Sequence, residues 1–288
     1  MSDEIKSESI PNERRKVFFG LFVFPMLIAV TMAVLLSSIV LLTHEEETPE
    51  SLIAAIKTGS PSKRWQKAFE LSNELNREGG MLRSSGIMNE IIHILNDKEH
   101  YDAKTRAYMA MALSRFRNVE AESALRVSLG QIDAAEDPQF ALFLMWAIGN
   151  YQDPKAAVDI VPLLESEDKD LRKTAAYVLG ALGNKKVVPD LKRLLEDQVA
   201  DVQWNAALSL ARLGDESGRR TLYQMLDRER LKSVHGLNEK EIERVMINAA
   251  KALGLISNQE AKTILEQVSK HDPSLKVKQA ALGALKQS

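Results

Sequence analysis

The chain has 288 residues, 45% hydrophobic and 27% charged, with a net charge of −2. That balance supplies a sizeable core and exerts no global pull toward nucleic acid or anionic lipid. There is no cysteine, which excludes disulfides, thiolate metal sites and thiol catalysis together.

Residues 1–16 form a charged tail that ends in Arg14, Arg15 and Lys16. Val17 to Leu42, "VFFGLFVFPMLIAVTMAVLLSSIVLL", then runs without a charge. As a helix it would extend roughly 39 Å, against roughly 30 Å for the hydrocarbon of a bilayer. Pro25 predicts a bend, which membrane helices tolerate. A cleaved signal peptide is the alternative, but its apolar region covers only about 7–15 residues and ends at small side chains. This run is longer and leads into "LLTHEEE". The sequence therefore predicts one transmembrane helix over 17–42. Lys6, Arg14, Arg15 and Lys16 precede it, and the first basic residue after it is Lys57. By the Lys/Arg bias the N-terminus faces the cytoplasm. The rest of the chain is then expected outside it, periplasmic or otherwise extracytoplasmic, on the cell (inner) membrane. Residues 43–60 read as a linker with a short capping helix, "TPESLIAAIKTG". Thr48 is its cap, Pro49 its first position and Gly59 its stop.

From residue 61 to 288 one motif recurs. Counting back from Gly183, Ala175, Leu179 and Leu182 are spaced by four and three, one stripe on a helix. The stripe returns as Ala206, Leu210 and Leu213 before Gly214, and as Ala141, Met145 and Ile148 before Gly149. Met246, Ala250 and Leu253 precede Gly254, and Met109, Leu113 and Phe116 precede Arg117. A weaker copy, Ala68, Leu71 and Leu75, precedes Asn76, and "VKQAALGALK" ends at Lys286. The end points recur every roughly 32 residues, with two longer steps. A second apolar helix follows each stripe, as in "NKKVVPDLKRLLED" after Gly183. Glycine between the two suits a helix stop, because it reaches left-handed backbone without strain. Asp170 and Asp201 stand where N-caps of first helices belong. Alanine pairs at 175–176, 206–207, 249–250 and 280–281 let helices approach closely.

The stretches "DLRKTAAYVLGALGNKKVVPDLKRLLED" and "DVQWNAALSLARLGDESGRRTLYQMLD" carry a resemblance to the HEAT repeat, in particular the short HEAT-like type also found in phycobilisome lyases. It covers about Pro61 to Ser288. It implies an all-α, armadillo-like fold, an α-solenoid of about 6–7 hairpins stacked into a curved right-handed rod. First helices would line the outer face and second helices the concave one. The last copy has no second helix, and Lys276, Lys278, Gln279, Lys286 and Gln287 read as its polar cap.

The chemistry-bearing residues converge nowhere. Iron-binding hydroxylases of this fold carry His-Glu pairs on their helices, whereas the His-Glu pair here is His44-Glu45, beside the span. His93, His100, His235 and His271 stand alone, and a metal site needs three or four converging ligands. No phosphate loop or nucleophile elbow occurs. Glu165, Glu167 and Asp168 read as a wet turn. Trp65, Trp146 and Trp204 fall in first helices and read as core. Insertions at 78–86 and 230–240 lengthen the period; they read as loops, which tolerate added length, and the alternative is that both shape the edge of the concave face. Arg212, Arg219, Arg220, Arg228, Arg230 and Lys232 cluster in one repeat, interleaved with carboxylates that argue against nucleic acid. The candidate protein-binding residues are Arg219, Arg220, Gln224, Arg230, Lys232 and His235. The sequence thus predicts a membrane-anchored, non-enzymatic scaffold or adaptor that holds a partner protein on its concave face. It requires no cofactor and no metal. The alternative is a lyase-type enzyme or subunit binding a tetrapyrrole or other small ligand. Self-association of the span has only Gly20, Ala29, Ala33 and Ser37 in its favour.

Overall fold

The structure is a computed structural model and describes residues 19–43, 48–77, 84–256 and 259–287. The chain divides into two units, residues 1–48 and 49–288.

In the first unit a π-helical turn, Phe19–Val23, runs into α1, Phe24–Thr43. Pro25 has no N–H to donate, and its ring crowds the carbonyl four residues back, at Leu21. The wider π turn lies at that place, so the distortion expected at Pro25 includes a change of helix type. None of the window Leu21–Ser38 is buried, and α1 is long and apolar enough to cross a membrane. Thr31 returns its hydroxyl to the Leu27 carbonyl at 2.7 Å, which leaves no unsatisfied donor there. Leu42 lies within α1; Val17, Arg14, Arg15 and Lys16 lie outside the described residues.

In the second unit α2 (Pro49–Thr58) begins at Pro49 and stops before Gly59, as expected. Helical hairpins follow. They pair α3 (Pro61–Arg77) with α4 (Ser85–Asn96), and α5 (Ala103–Leu113) with α6 (Val119–Gln131). Next come α7 (Pro138–Gly149) with α8 (Ala157–Ile160), and α9 (Lys169–Leu182) with α10 (Val188–Arg193). After α11 (Ala200–Arg212) and α12 (Arg219–Gln224), the extra helix α13 (Arg228–Lys232) intervenes. The last hairpin is α14 (Glu239–Leu253) with α15 (Gln259–His271), and α16 (Leu275–Leu285) closes the unit. First helices pack in series, α3 on α5, then α7, α9, α11, α14 and α16. Second helices pack on the first helix of the next hairpin, α4 on α5, α6 on α7, α8 on α9, α10 on α11, α12 on α14 and α15 on α16, and α4 meets α6 as α6 meets α8. No strand occurs among the described residues. This is a helical solenoid, in which each hairpin completes its core only against its neighbours.

The predicted stripe is the core. Ala175, Leu179, Ala206, Leu210, Ala141, Met145, Ile148, Ala250 and Leu253 expose nothing, nor do Ala68, Leu71, Leu75, Met109 and Leu113. The last copy is shifted by one residue. It buries Val277, Ala281 and Ala284 and leaves Leu282 half exposed, so its motif ends at Leu285 and not at Lys286. Small residues set the spacing of the first-helix layer. A Cβ on Gly180 would stand 2.8 Å from the Ser209 Cα, so α9 and α11 approach nearly backbone to backbone. Ser209 uses that proximity to donate its hydroxyl to the Ala176 carbonyl at 2.8 Å, across the two helices.

The turn inside each of four hairpins is a two-residue device. A left-handed residue is followed by Asn or Asp, whose side chain caps the second helix. The pairs are Arg117-Asn118, Gln152-Asp153, Gly183-Asn184 and Gly214-Asp215. Glycine takes that backbone at Gly183 (φ 74) and Gly214 (φ 80), as expected. Gly254 does not. It keeps right-handed backbone and is needed because a Cβ would lie 2.9 Å from the Ala284 Cα. First-helix caps also differ from expectation. Asp168, not Asp170, caps α9 by accepting from Asp170 N and Leu171 N, while Asp170 sits in the first turn beside Lys173. Val199 stands at the cap of α11 without a side-chain bond, and Asp201 lies inside the helix.

Replacing Gly180 by Ala drives a methyl into Ser209 and should lower stability by ~1–3 kcal/mol. Gly130→Ala, in α6 where nothing lies within 4 Å, should raise it by ~0.5–1 kcal/mol. Thermal unfolding followed by circular dichroism distinguishes the two signs.

Candidate partner-binding surfaces

Three of the six sequence-predicted binding residues lie on α12 (Arg219, Arg220, Gln224), two on α13 (Arg230, Lys232), and His235 in the turn that follows. All are exposed except the half-buried Gln224. Arg219 lies 3.5 Å from Glu216 and Lys232 2.8 Å from Glu229, so part of the charge is answered locally.

Arg228 does not belong to that patch. It is 9% exposed, and its guanidinium grips Asp272 through Nε at 3.1 Å and Nη2 at 2.8 Å, with Nη1 on Glu239. The insertion at 230–240 is therefore built in and is not a free loop. Leu231 is buried, and Asn238 and Glu241 form a reciprocal capping box for α14, at 3.1 and 2.9 Å. Of the other insertion, residues 78–83 lie outside the described residues, and Ser84 caps α4.

No group of three or more His, Asp or Glu that could hold a metal occurs among the described residues. His100 pairs with Asp97 at 2.9 Å, and this bond lowers the Asp97 carboxyl below its usual range. His44 lies outside the described residues. A groove of about 470 Å³ runs between the turns that precede α9 and α11. Its cations are already engaged. Arg172 binds Asp197 through two bonds of 2.8 and 3.1 Å, and Arg193 reaches Glu165 at 3.0 Å. The bond raises Arg172 and lowers Asp197. Glu165 and Glu167 line this open groove, in keeping with a solvated turn. On α6, Glu122 is 9% exposed with Oε1 unpartnered. Burial raises its carboxyl above the usual range; Asp153 and Asp159 push the same way, against Arg126 and Lys155.

One feature escaped the sequence reading. Trp204 is buried, but Trp146 is 43% exposed and Trp65 half-buried, so two of the three tryptophans are not core. They belong to an aromatic stripe along consecutive first helices. Tyr108 on α5 stacks on Trp65 at 6.4 Å and meets Phe69 edge-on at 5.3 Å, both on α3. It also meets Phe143 on α7 at 5.6 Å. Trp146 on α7 contacts Tyr177 on α9 at 5.1 Å. Lys104 lies 3.2 Å over the Trp65 ring, and the Arg212 guanidinium 5.1 Å from the Tyr177 centroid. The missed signal is an aromatic two or three places from the buried stripe position, as at Phe143, Trp146 and Tyr177.

Residues 129–202 and 159–236 match the family model for HEAT repeats. No curated protein matches the chain. Among solved structures, the complex of CpcE and CpcF of phycocyanin lyase from Nostoc sp. PCC7120 is similar at 19% identity and a TM-score of 0.55, covering 85% of this chain and 96% of that one. A designed armadillo repeat protein is 16% identical with a TM-score of 0.40, covering 84% and 99%. Human deoxyhypusine hydroxylase in complex with glycerol is 16% identical with a TM-score of 0.35, covering 83% of each.

Two substitutions probe the buried charges. The native state holds the Glu122 proton more tightly than the unfolded chain does, so its contribution to stability falls as pH climbs through the native pKa. Glu122→Gln should therefore raise the melting temperature at pH 7 by about 2–4 °C, for roughly 1 kcal/mol, with the gain vanishing below about pH 4. Arg228→Ala leaves Asp272 buried without its cation and should cost ~3–5 kcal/mol. Arg228→Met combined with Asp272→Asn should recover much of that loss in urea unfolding.

Proposed function

We propose that this chain is a membrane-anchored scaffold or adaptor whose HEAT-repeat solenoid binds a partner protein near the bilayer. One observation carries the reading. The apolar core is closed between neighbouring hairpins, from Leu52 through Ala284, so what the unit offers a ligand is long outer layers of helix. Such layers suit recognition of a macromolecule. In this reading α1 is the single-pass anchor, residues 1–16 stay in the cytoplasm under Arg14, Arg15 and Lys16, and the repeats lie outside it. The partner is another extracytoplasmic or membrane-associated protein, not a nucleic acid. The solenoid works without cofactor or catalytic centre. Arg219, Arg220, Gln224, Arg230, Lys232 and His235 form one contact patch, on the second-helix side.

The fold likeness to the phycocyanin lyase complex keeps a second reading in view, a lyase-type protein that holds a tetrapyrrole or other small ligand. Two measurements test the proposal. A reporter active only outside the cytoplasm, fused after Ser288, should be active; a silent reporter overturns the topology. The full chain purified from its own membranes should carry no stoichiometric chromophore or metal by absorbance and elemental analysis; either one would replace the scaffold by the second reading.

A further inference from the structure

We infer that the aromatic stripe on the first-helix layer is a docking strip for an extended, acidic segment of the partner protein. This rests on the scaffold reading and adds a second contact face, on the first-helix layer, and the partner's chemistry.

The stripe is apolar surface left in water. Phe69 is 45% and Trp146 43% exposed, while the positions beneath them are filled by small and aliphatic side chains such as Ala68, Ala147 and Ile148. Aromatic rings at a protein surface are the residues that yield most binding energy when a partner covers them. Ring contacts join the stripe across α3, α5 and α7 through Tyr108, and across α7 and α9 through Trp146 and Tyr177. Neighbouring packed helices stand about 8–10 Å apart, so the strip extends roughly 25–30 Å. An extended polypeptide covers that in about 8–9 residues. Between Lys104, Tyr108, Gln139 and Phe143 lies a recess of about 30 Å³, the size of an aliphatic side-chain tip.

Charge selects the partner. Cations bracket the strip, Lys104 at the Trp65 end and Arg212 at the Tyr177 end, each over an aromatic ring. Neither has a carboxylate partner among the described residues. Nearby lysines differ: Lys67 is answered by Glu70 at 2.6 Å and Lys173 by Asp170 at 2.5 Å. An acidic segment with interspersed apolar side chains would satisfy both the rings and the two cations. A basic or uncharged segment would not.

The test places the photocrosslinker p-benzoylphenylalanine singly at Phe69 or Trp146 of the full chain in its native membrane. Val158 on α8, 67% exposed, and Arg220 on α12 are the second-helix comparisons. Crosslinks from positions 69 and 146 should map to one segment of one other protein, and that segment should be net acidic. Adding Trp146→Ala with Tyr177→Ser should lower the yield at position 69 by about fivefold or more. High salt should lower it as well. Crosslinks from 69 and 146 to a second copy of the chain, to lipid, or to a neutral or basic segment overturn the inference. Capture only from positions 158 or 220 overturns it and leaves the scaffold reading standing. Silence at all four positions overturns both.

Discussion

The structure depends on how closely its first helices can approach. That distance is set by alanine, glycine and serine at the positions facing the next hairpin. At Gly180 the next backbone is close enough that a single methyl would collide with it, and Ser209 bridges the gap to Ala176. A similar closeness recurs where Gly218 faces Ala207 and Gly254 faces Ala284. Small residues bury little apolar area each, so the aliphatic stripe and the second helices must supply most of the hydrophobic energy. Phe140 and Trp204 are buried within the stack, whereas Phe69 and Trp146 stand at the surface of the same first-helix layer.

The architecture was legible because its signal is periodic. Each stripe of Ala, Leu or Met reports one buried helix face, and repeating that stripe along the chain reports a stack. The short turn was half legible. Gly183 and Gly214 announced left-handed backbone, whereas Arg117 and Gln152 adopt it without glycine, and Asn118 and Asp153 were the better clue. Caps were displaced because Asp168 competes with Asp170 two residues later, and only three-dimensional geometry shows which carboxylate faces the free N–H groups. The tryptophans were misplaced for a different reason. Helical periodicity tells which residues share a face, but not how deep a face lies once neighbouring helices pack.

Candidate binding surfaces were harder to read, for the physical reason that charge says little until its partner is known. Six basic residues near 212–232 looked like one cluster. In space Arg228 is spent inside the protein on Asp272, Arg212 lies over Tyr177, and Arg219 and Lys232 have acidic neighbours. Glu122, conversely, gave no sign in sequence and is the buried carboxyl whose proton affinity departs upward. The apolar N-terminal run is the opposite case, since length and composition alone make it a spanning candidate.

The Arg228–Asp272 clasp changes how this array can come apart. Elsewhere a hairpin touches only its neighbours, so a stack of this kind can fray from an end one module at a time. The clasp ties the short helix after the fifth hairpin to the residue that follows α15, fastening the sixth hairpin from both sides of its sequence. Separating α14 and α15 from the stack therefore has to break a buried ion pair as well as apolar packing, whereas α16, which follows Asp272, lies outside the stretch that the clasp closes.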